Sequence, residues 1–121
     1  MRAQRFHDLQ VWKKAHAFVL EAYRFTSGFP KHELFGLTAQ FRRAAVSVPA
    51  NIAEGFKKRG RADKARFYNT AQGSLEECRY YISLSRDLGY GEVEALARSA
   101  EDVARMLDAY AQAVVTNASG F

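Results

Sequence analysis

Four stretches of the chain place apolar residues at steps of three and four, the period at which a helix presents one face to a core, and strand-like alternation is absent. Glycine and proline are scarce inside these stretches and gather at a few junctions. The first helix is expected from about Leu9 to Thr26, with Asp8 as N-cap, Gly28-Phe29-Pro30 as stop, and Trp12, Ala15, Val19, Ala22, Tyr23 and Thr26 on its apolar face. The second runs from about Glu33 to Phe56 on Leu37, Phe41, Ala44, Ala45, Val48, Ile52 and Phe56. The third runs from about Ala62 to Leu88 on Phe67, Ala71, Leu75, Cys78, Ile82 and Ser85, ending at Gly89-Tyr90-Gly91. The fourth runs from about Glu92 to Val115 on Leu96, Ala100, Val103, Met106, Leu107, Tyr110 and Val114. Short connections leave consecutive helices as antiparallel neighbours, so the expected fold is all-α, an antiparallel up-down-up-down four-helix bundle. Residues 5–116 form this single domain, and residues 117–121 a flexible tail.

Pro49 lies inside the second stretch. A proline there removes the hydrogen bond to the carbonyl of Ala45 and crowds it, costing on the order of 3 kcal/mol in a regular helix. It also biases Val48 away from helical dihedrals. A kinked second helix is expected, with a true break as the alternative.

The chain has 121 residues, 48% hydrophobic and 26% charged, and a domain of this size buries roughly 65% of the surface its unfolded form exposes. No apolar run approaches the roughly 20 residues that span a bilayer, and the polar opening MRAQRFHDLQ has no signal-peptide apolar region. No membrane role and a cytoplasmic location are expected. The single cysteine, Cys78, has no partner for a disulfide or a thiolate metal site.

A di-iron bundle needs Glu-x-x-His pairs, and no glutamate here is followed by histidine at that spacing; His7, His16 and His32 all lie in the first third. The stretch GFKKRGRA from Gly55 has the glycine spacing of a phosphate loop but Arg61 and Ala62 where lysine and a hydroxyl belong, and it follows a helix. Ser47, Ser74 and Cys78 are the candidate nucleophiles. Cys78 is in phase with the core, and His16, beside Trp12, suits a packed or surface role better than a catalytic one. The reading is a non-enzyme with no cofactor and no metal.

Charge is the strongest positive feature. The net charge is +5, and residues 1–60 carry eleven Lys/Arg against four Asp/Glu, whereas residues 61–121 carry seven against nine. The run KKRGRADKAR concentrates Lys57, Lys58, Arg59, Arg61, Lys64 and Arg66 across the turn between the second and third helices, and Arg42 and Arg43 add two cations on the second. Lys57, Lys58 and Arg59 are accounted for by the helix C-terminus, which favours cations by about 0.3–1 kcal/mol each. Arg61, Lys64 and Arg66 open a helix, where anions are preferred, and a bound phosphate would relieve that conflict. Phe56, Phe67 and Tyr68 lie close by and would suit base stacking, although Phe56 and Phe67 are in phase with the core.

Three segments, FHDLQVWKKAHAFVLEAYRFTSGFP, GLTAQFRRAAVSVPANIAEGFKKR and FYNTAQGSLEECRYYISLSRDLGY, resemble the signature blocks of the four-helix-bundle proteins encoded in 23S rRNA intervening sequences, over roughly residues 5–90. Arg42, Arg43, Ser47, Pro49, Asn51, Glu54 and Gly55 match the central block, and Gly73, Ser74, Leu75 and Glu77 the third-helix block; Arg79 departs from a position that is often acidic. The resemblance implies a kinked second helix, a ring-shaped homopentamer, and distant kinship with the accessory protein of diversity-generating retroelements, a basic pentameric bundle associated with nucleic acid. It implies no enzymatic activity. Asn51 or Ser47 would repair backbone groups displaced by Pro49, and Glu54 would meet Lys57 or Lys58.

Two functions follow as expectations. One is an oligomeric, sequence-nonspecific adaptor for RNA or DNA, with Arg42, Arg43, Lys57, Lys58, Arg59, Arg61, Lys64 and Arg66 as its surface. The other is a protein-interaction or self-assembly module in which this rim meets a partner or the acidic fourth helix, with Glu92, Glu94, Glu101, Asp102 and Asp108. An enzymatic reading would need one pocket to gather His16, Glu54 and Glu77.

Overall fold

A computed structural model describes residues 2–116 of the chain; the expected flexible tail at 117–121 lies outside the described residues. Four helices, α1 (Gln10–Thr26), α2 (Leu37–Lys57), α3 (Arg61–Asp87) and α4 (Glu94–Thr116), are preceded by one 3-10 turn at Phe6–Asp8 and interrupted by another at Lys31–Glu33. Each packs against its neighbours in sequence and α1 closes against α4. This is the all-α up-down-up-down bundle, and its most extensive seam joins α2 to α3.

The apolar stripes meet in one core, where Phe18, Phe41, Ala45, Val48, Ile52, Ala71, Cys78 and Leu107 are fully buried. Each large aliphatic or aromatic side chain there contributes roughly 1.5–3 kcal/mol. Burial pushes the Cys78 thiol up to about 12, with the neighbouring Glu77 carboxylate adding to the effect, so it is an inert packing group. In α3 the stripe differs from expectation: Tyr68 is fully buried and Phe67 only half-buried. The cause is Gly55 of α2, which leaves the recess that the Tyr68 ring fills; a Cβ on Gly55 would lie 2.5 Å from Tyr68 Cε1. Tyr68 Oη then pairs with Tyr110 Oη at 3.3 Å. Trp12 and Tyr23, expected on the face of α1, sit at its edge, and Val11 and Phe18 take the inner positions.

The helix ends correct several expected boundaries. Asp8 does not cap α1. Its carboxylate accepts the amides of Gln4 and Arg5 upstream, which curl residues 6–8 into their 3-10 turn and hold the carboxyl below its usual range; Leu9 is the N-cap, with no side-chain bond. Glu33 belongs to a separate turn and α2 begins only at Leu37, whose N–H donates to Glu33 Oε1 at 3.2 Å. Tyr90 Oη donates to the other carboxylate oxygen at 2.7 Å, so Glu33 ties the start of α2 to the α3–α4 turn. α3 ends in a Schellman motif: Gly89, at φ +75°, donates to the carbonyl of Arg86, and Tyr90 donates to that of Ser85. α2 runs unbroken through Pro49, so the break considered as the alternative to a kink does not occur. Two residues beyond, Asn51 Nδ2 donates back to the Ser47 carbonyl at 2.8 Å and to Ser47 Oγ at 2.9 Å.

Gly73 contrasts with Gly55. It is exposed in mid-α3 and a Cβ there would meet nothing within 4 Å. In urea melts, Gly55→Ala should lose about 1–3 kcal/mol, because the buried ring of Tyr68 has nowhere to go. Gly73→Ala should gain up to about 1 kcal/mol of helix propensity.

A pH dependence follows from Glu33, whose carboxyl is held below its ordinary value of 4.5 chiefly by the Tyr90 hydroxyl and then by the Leu37 amide. A depressed folded-state value makes its contribution fully present above the unfolded value and progressively lost as pH falls below 4.5. Thermal melts should show a deficit for Glu33→Gln at pH 7 that shrinks on acidification through this range; a deficit unchanged by acid would contradict the assignment.

Candidate nucleic-acid interface

The antiparallel path brings the start of α1, the end of α2, the start of α3 and the end of α4 to one end of the bundle. Lys57, Lys58, Arg59, Arg61, Lys64 and Arg66 are all at that end, yet they do not form one surface. Lys64 is a correction: expected among the ligand-binding cations, it is 8% exposed, and its ammonium donates to the carbonyls of Gly55 at 3.2 Å and Phe56 at 2.7 Å. It therefore satisfies the open end of α2 from within the first turn of α3. Burial lowers its affinity for the proton, and the two carbonyls and the Phe56 ring, 5.4 Å from Nζ to its centroid, offset that cost.

Two more of the cations also terminate helices. Arg61 Nη1 donates to the carbonyl of Val115 in the last turn of α4 at 3.1 Å. Arg42 lies over the Tyr23 ring at 4.5 Å and donates through Nε to Thr26 Oγ1 at 2.8 Å and through Nη2 to the Tyr23 carbonyl at 3.3 Å. Helix C-termini carry partial negative charge, and a cation held there gains from both the dipole and the hydrogen bond.

The remaining cations are displayed. Lys58 and Arg66 flank the half-buried Phe67 ring at 5.0 and 5.4 Å, and Arg66 also pairs with Asp63 at 3.3 Å on the surface. Among the described residues, Lys57 and Arg59 have no acidic partner, and Glu54 forms no ion pair with Lys57 or Lys58. α3 opens at Gly60, which supplies no side-chain cap. Its first amides therefore face the same turn as these cations. Of the aromatic residues expected to stack on bases, Tyr68 is buried and cannot, while Phe56 and Phe67 are both half-buried, Phe56 packing against the core with the Lys64 ammonium over its ring.

Arg43 stands apart, about 21 Å up α2 from Lys57 at 1.5 Å per residue. It lines a separate open groove of about 370 Å³ between α2 and α3, with Gln40, Ser47, Ser74, Glu77 and Tyr81. Ser47 Oγ and Ser74 Oγ are 2.8 Å apart, and Tyr81 Oη donates to Glu77 Oε2 at 2.7 Å and to Gln40 Oε1 at 3.2 Å. The Glu77 hydrogen bond, with burial, pushes the Tyr81 hydroxyl up to about 12. The groove thus gathers Arg43, Ser47, Ser74 and Glu77 from the two blocks that carry the family resemblance. Gln40 and Tyr81 were not singled out in the sequence, since only the packing of α3 on α2 gives them a shared role. His16 lies on α1 and does not join Glu77 here, so the triad an enzymatic reading would need is not assembled in this groove.

The fold is an all-helical four-helix bundle with a cluster of cations at one end. The chain belongs to the 23S rRNA-intervening sequence protein family, whose model matches residues 7–109. No curated protein matches it. No helix among the described residues is long and apolar enough to cross a membrane.

The division of labour among the cations is measurable. Lys64→Met keeps the alkyl stem but strips the carbonyls of Gly55 and Phe56 of their donor, and should lose about 1.5–3 kcal/mol in urea unfolding. Lys57→Met should change stability by no more than about 0.5 kcal/mol.

Proposed function

We propose that the protein is a non-catalytic, oligomeric adaptor of the cytoplasm that binds nucleic acid without sequence preference through the α2–α3 turn. The observation that carries this reading is the display of Lys57 and Arg59 with no acid opposite, beside Lys58 and Arg66 and beside a helix start capped only by glycine. Phosphates are the ligands such a turn suits, since both the cations and the open amides favour negative charge. The family resemblance adds a homopentamer and the kinship with retroelement accessory proteins to the proposal. Five copies at +5 each would carry +25, enough to concentrate a polyanion along a shared rim.

A second reading, self-assembly through the α2–α3 face, is favoured by Gly73. That residue weakens α3 by up to about 1 kcal/mol relative to alanine, and nothing among the described residues requires its smallness. Close approach by another backbone would.

Both are tested together. Binding of labelled single-stranded RNA and duplex DNA, followed by anisotropy from about 50 to 200 mM salt, should weaken steeply, with a slope near −0.7 per single-strand phosphate engaged or −0.9 per duplex phosphate. Lys57→Glu with Arg59→Glu should flatten that slope without changing helicity. Arg61 is left intact because it also terminates α4. Absence of binding at 50 mM salt would sink the nucleic-acid reading. Light scattering on Gly73→Leu decides the other: a fall in mass supports assembly through this face, and an unchanged oligomer refutes it.

A further inference from the structure

One side-chain cluster at the basic end has no part in capping or in the turn itself. His7 stacks on Phe6 with centroids 3.9 Å apart, and His16 stacks on Trp12 at 5.0 Å with planes 7° apart. The two stacks meet edge to face, Phe6 and His7 each 5.1 Å from Trp12. Trp12 packs against the core, which accounts for its inner face. Core packing does not account for His7 and His16, which are both exposed and form the outer leaves of the two stacks.

The register of α1 against α2 places this cluster. Arg42 meets Tyr23 across the seam, and the helices run antiparallel, so about three turns further along stand Trp12 on α1 and Ala53 on α2. One turn beyond them are Phe6–Asp8 and Lys57, in keeping with the packing of the Phe6–Asp8 turn against α2. The exposed cations Arg5 and Lys13 are next in sequence to Phe6 and Trp12; of the nearby acids, Asp8 is engaged by the amides of Gln4 and Arg5, and Glu54, exposed beside Ala53, forms no ion pair with Lys57 or Lys58. The turn that carries Lys57 and Arg59 thus has stacked rings on its α1 side and Phe67 on its α3 side.

We infer that this end of the bundle is a single-strand site, in which unpaired bases stack on His7 and His16 while Lys57 and Arg59 hold the intervening phosphates. The inference rests on the nucleic-acid reading above and deepens it to a substrate class. Aromatic and imidazole faces reward only bases freed from pairing, whereas lysine and arginine on phosphates do not distinguish single strands from duplex. The protein therefore selects single-stranded over double-stranded nucleic acid by means of α1, not of the basic turn.

Trp12 is the only tryptophan, so its emission reports the cluster directly. The intact protein is titrated with dye-labelled single-stranded oligoadenylate and with a labelled DNA duplex, and anisotropy and Trp12 emission are read together. Oligoadenylate binding should quench Trp12, and duplex binding should not. The double variant His7→Ala with His16→Ala alters only exposed side chains and should retain full helicity. It should bind oligoadenylate about 5- to 100-fold more weakly and duplex within about twofold of the parent. Binding of oligoadenylate with Trp12 emission unchanged, or equal losses for both ligands in the double variant, would overturn the single-strand site while leaving the basic turn as a phosphate-binding surface. Failure of both ligands to bind would overturn the adaptor reading and this inference with it.

Discussion

The ammonium of Lys64, set against the last carbonyls of α2, is the interaction around which the basic end of the molecule is built. A buried cation is costly unless hydrogen-bonded, and here two backbone acceptors and an aromatic face supply the compensation. The bond joins the end of one helix to the first turn of the next across three residues. That closure, with the Tyr68 ring in the recess over Gly55, fixes the α2–α3 seam on which the rest of the bundle packs. It also leaves Lys57, Lys58 and Arg59 on the outside of the turn, because the inside is already filled.

The same device recurs at two other helix ends. Arg42 serves α1 and Arg61 serves α4, each reaching carbonyls or a hydroxyl of a neighbouring helix rather than its own. α3 closes differently, on Gly89 in a left-handed conformation, and its last-turn cation Arg86 pairs with the adjacent Asp87 on the surface. A basic chain can thus spend several of its positive charges on the negative ends of its own helices. The cations left displayed at this end are a smaller set than the basic run suggests, Lys57, Lys58, Arg59 and Arg66 where α2 meets α3.

The helical periodicity made the bundle legible, because short connections leave four amphipathic helices little other topology. The boundaries were less so. Asp8 looks like an N-cap from its position before an apolar stripe, but its carboxylate found nearer amides upstream, and Glu33 reaches α2 from a turn of its own. Phe67 and Tyr68 exchange places relative to expectation because a one-residue step turns a side chain by about 100°, and only the missing side chain at Gly55 decides which ring enters the core. In the basic run, charge was visible but burial was not: Lys64 and Lys57 belong to the same run of cations, and only the packing of α3 against α2 distinguishes a structural ammonium from a displayed one. The place of His7 was likewise hidden, since it depends on the 3-10 turn at Phe6–Asp8 folding back over α1, whereas His16 beside Trp12 follows from their spacing of four residues in one helix.

The central claim, that buried and displayed cations divide the work at this end, is tested most directly by amine-selective acetylation of the native protein with peptide mass spectrometry, with and without single-stranded RNA. Lys57 and Lys58 should be modified rapidly and be slowed by RNA, while Lys64 resists until the protein unfolds and is indifferent to RNA. Modification of Lys64 at the rate of Lys57 in the native state would contradict the account, since its ammonium would then be neither buried nor holding the end of α2.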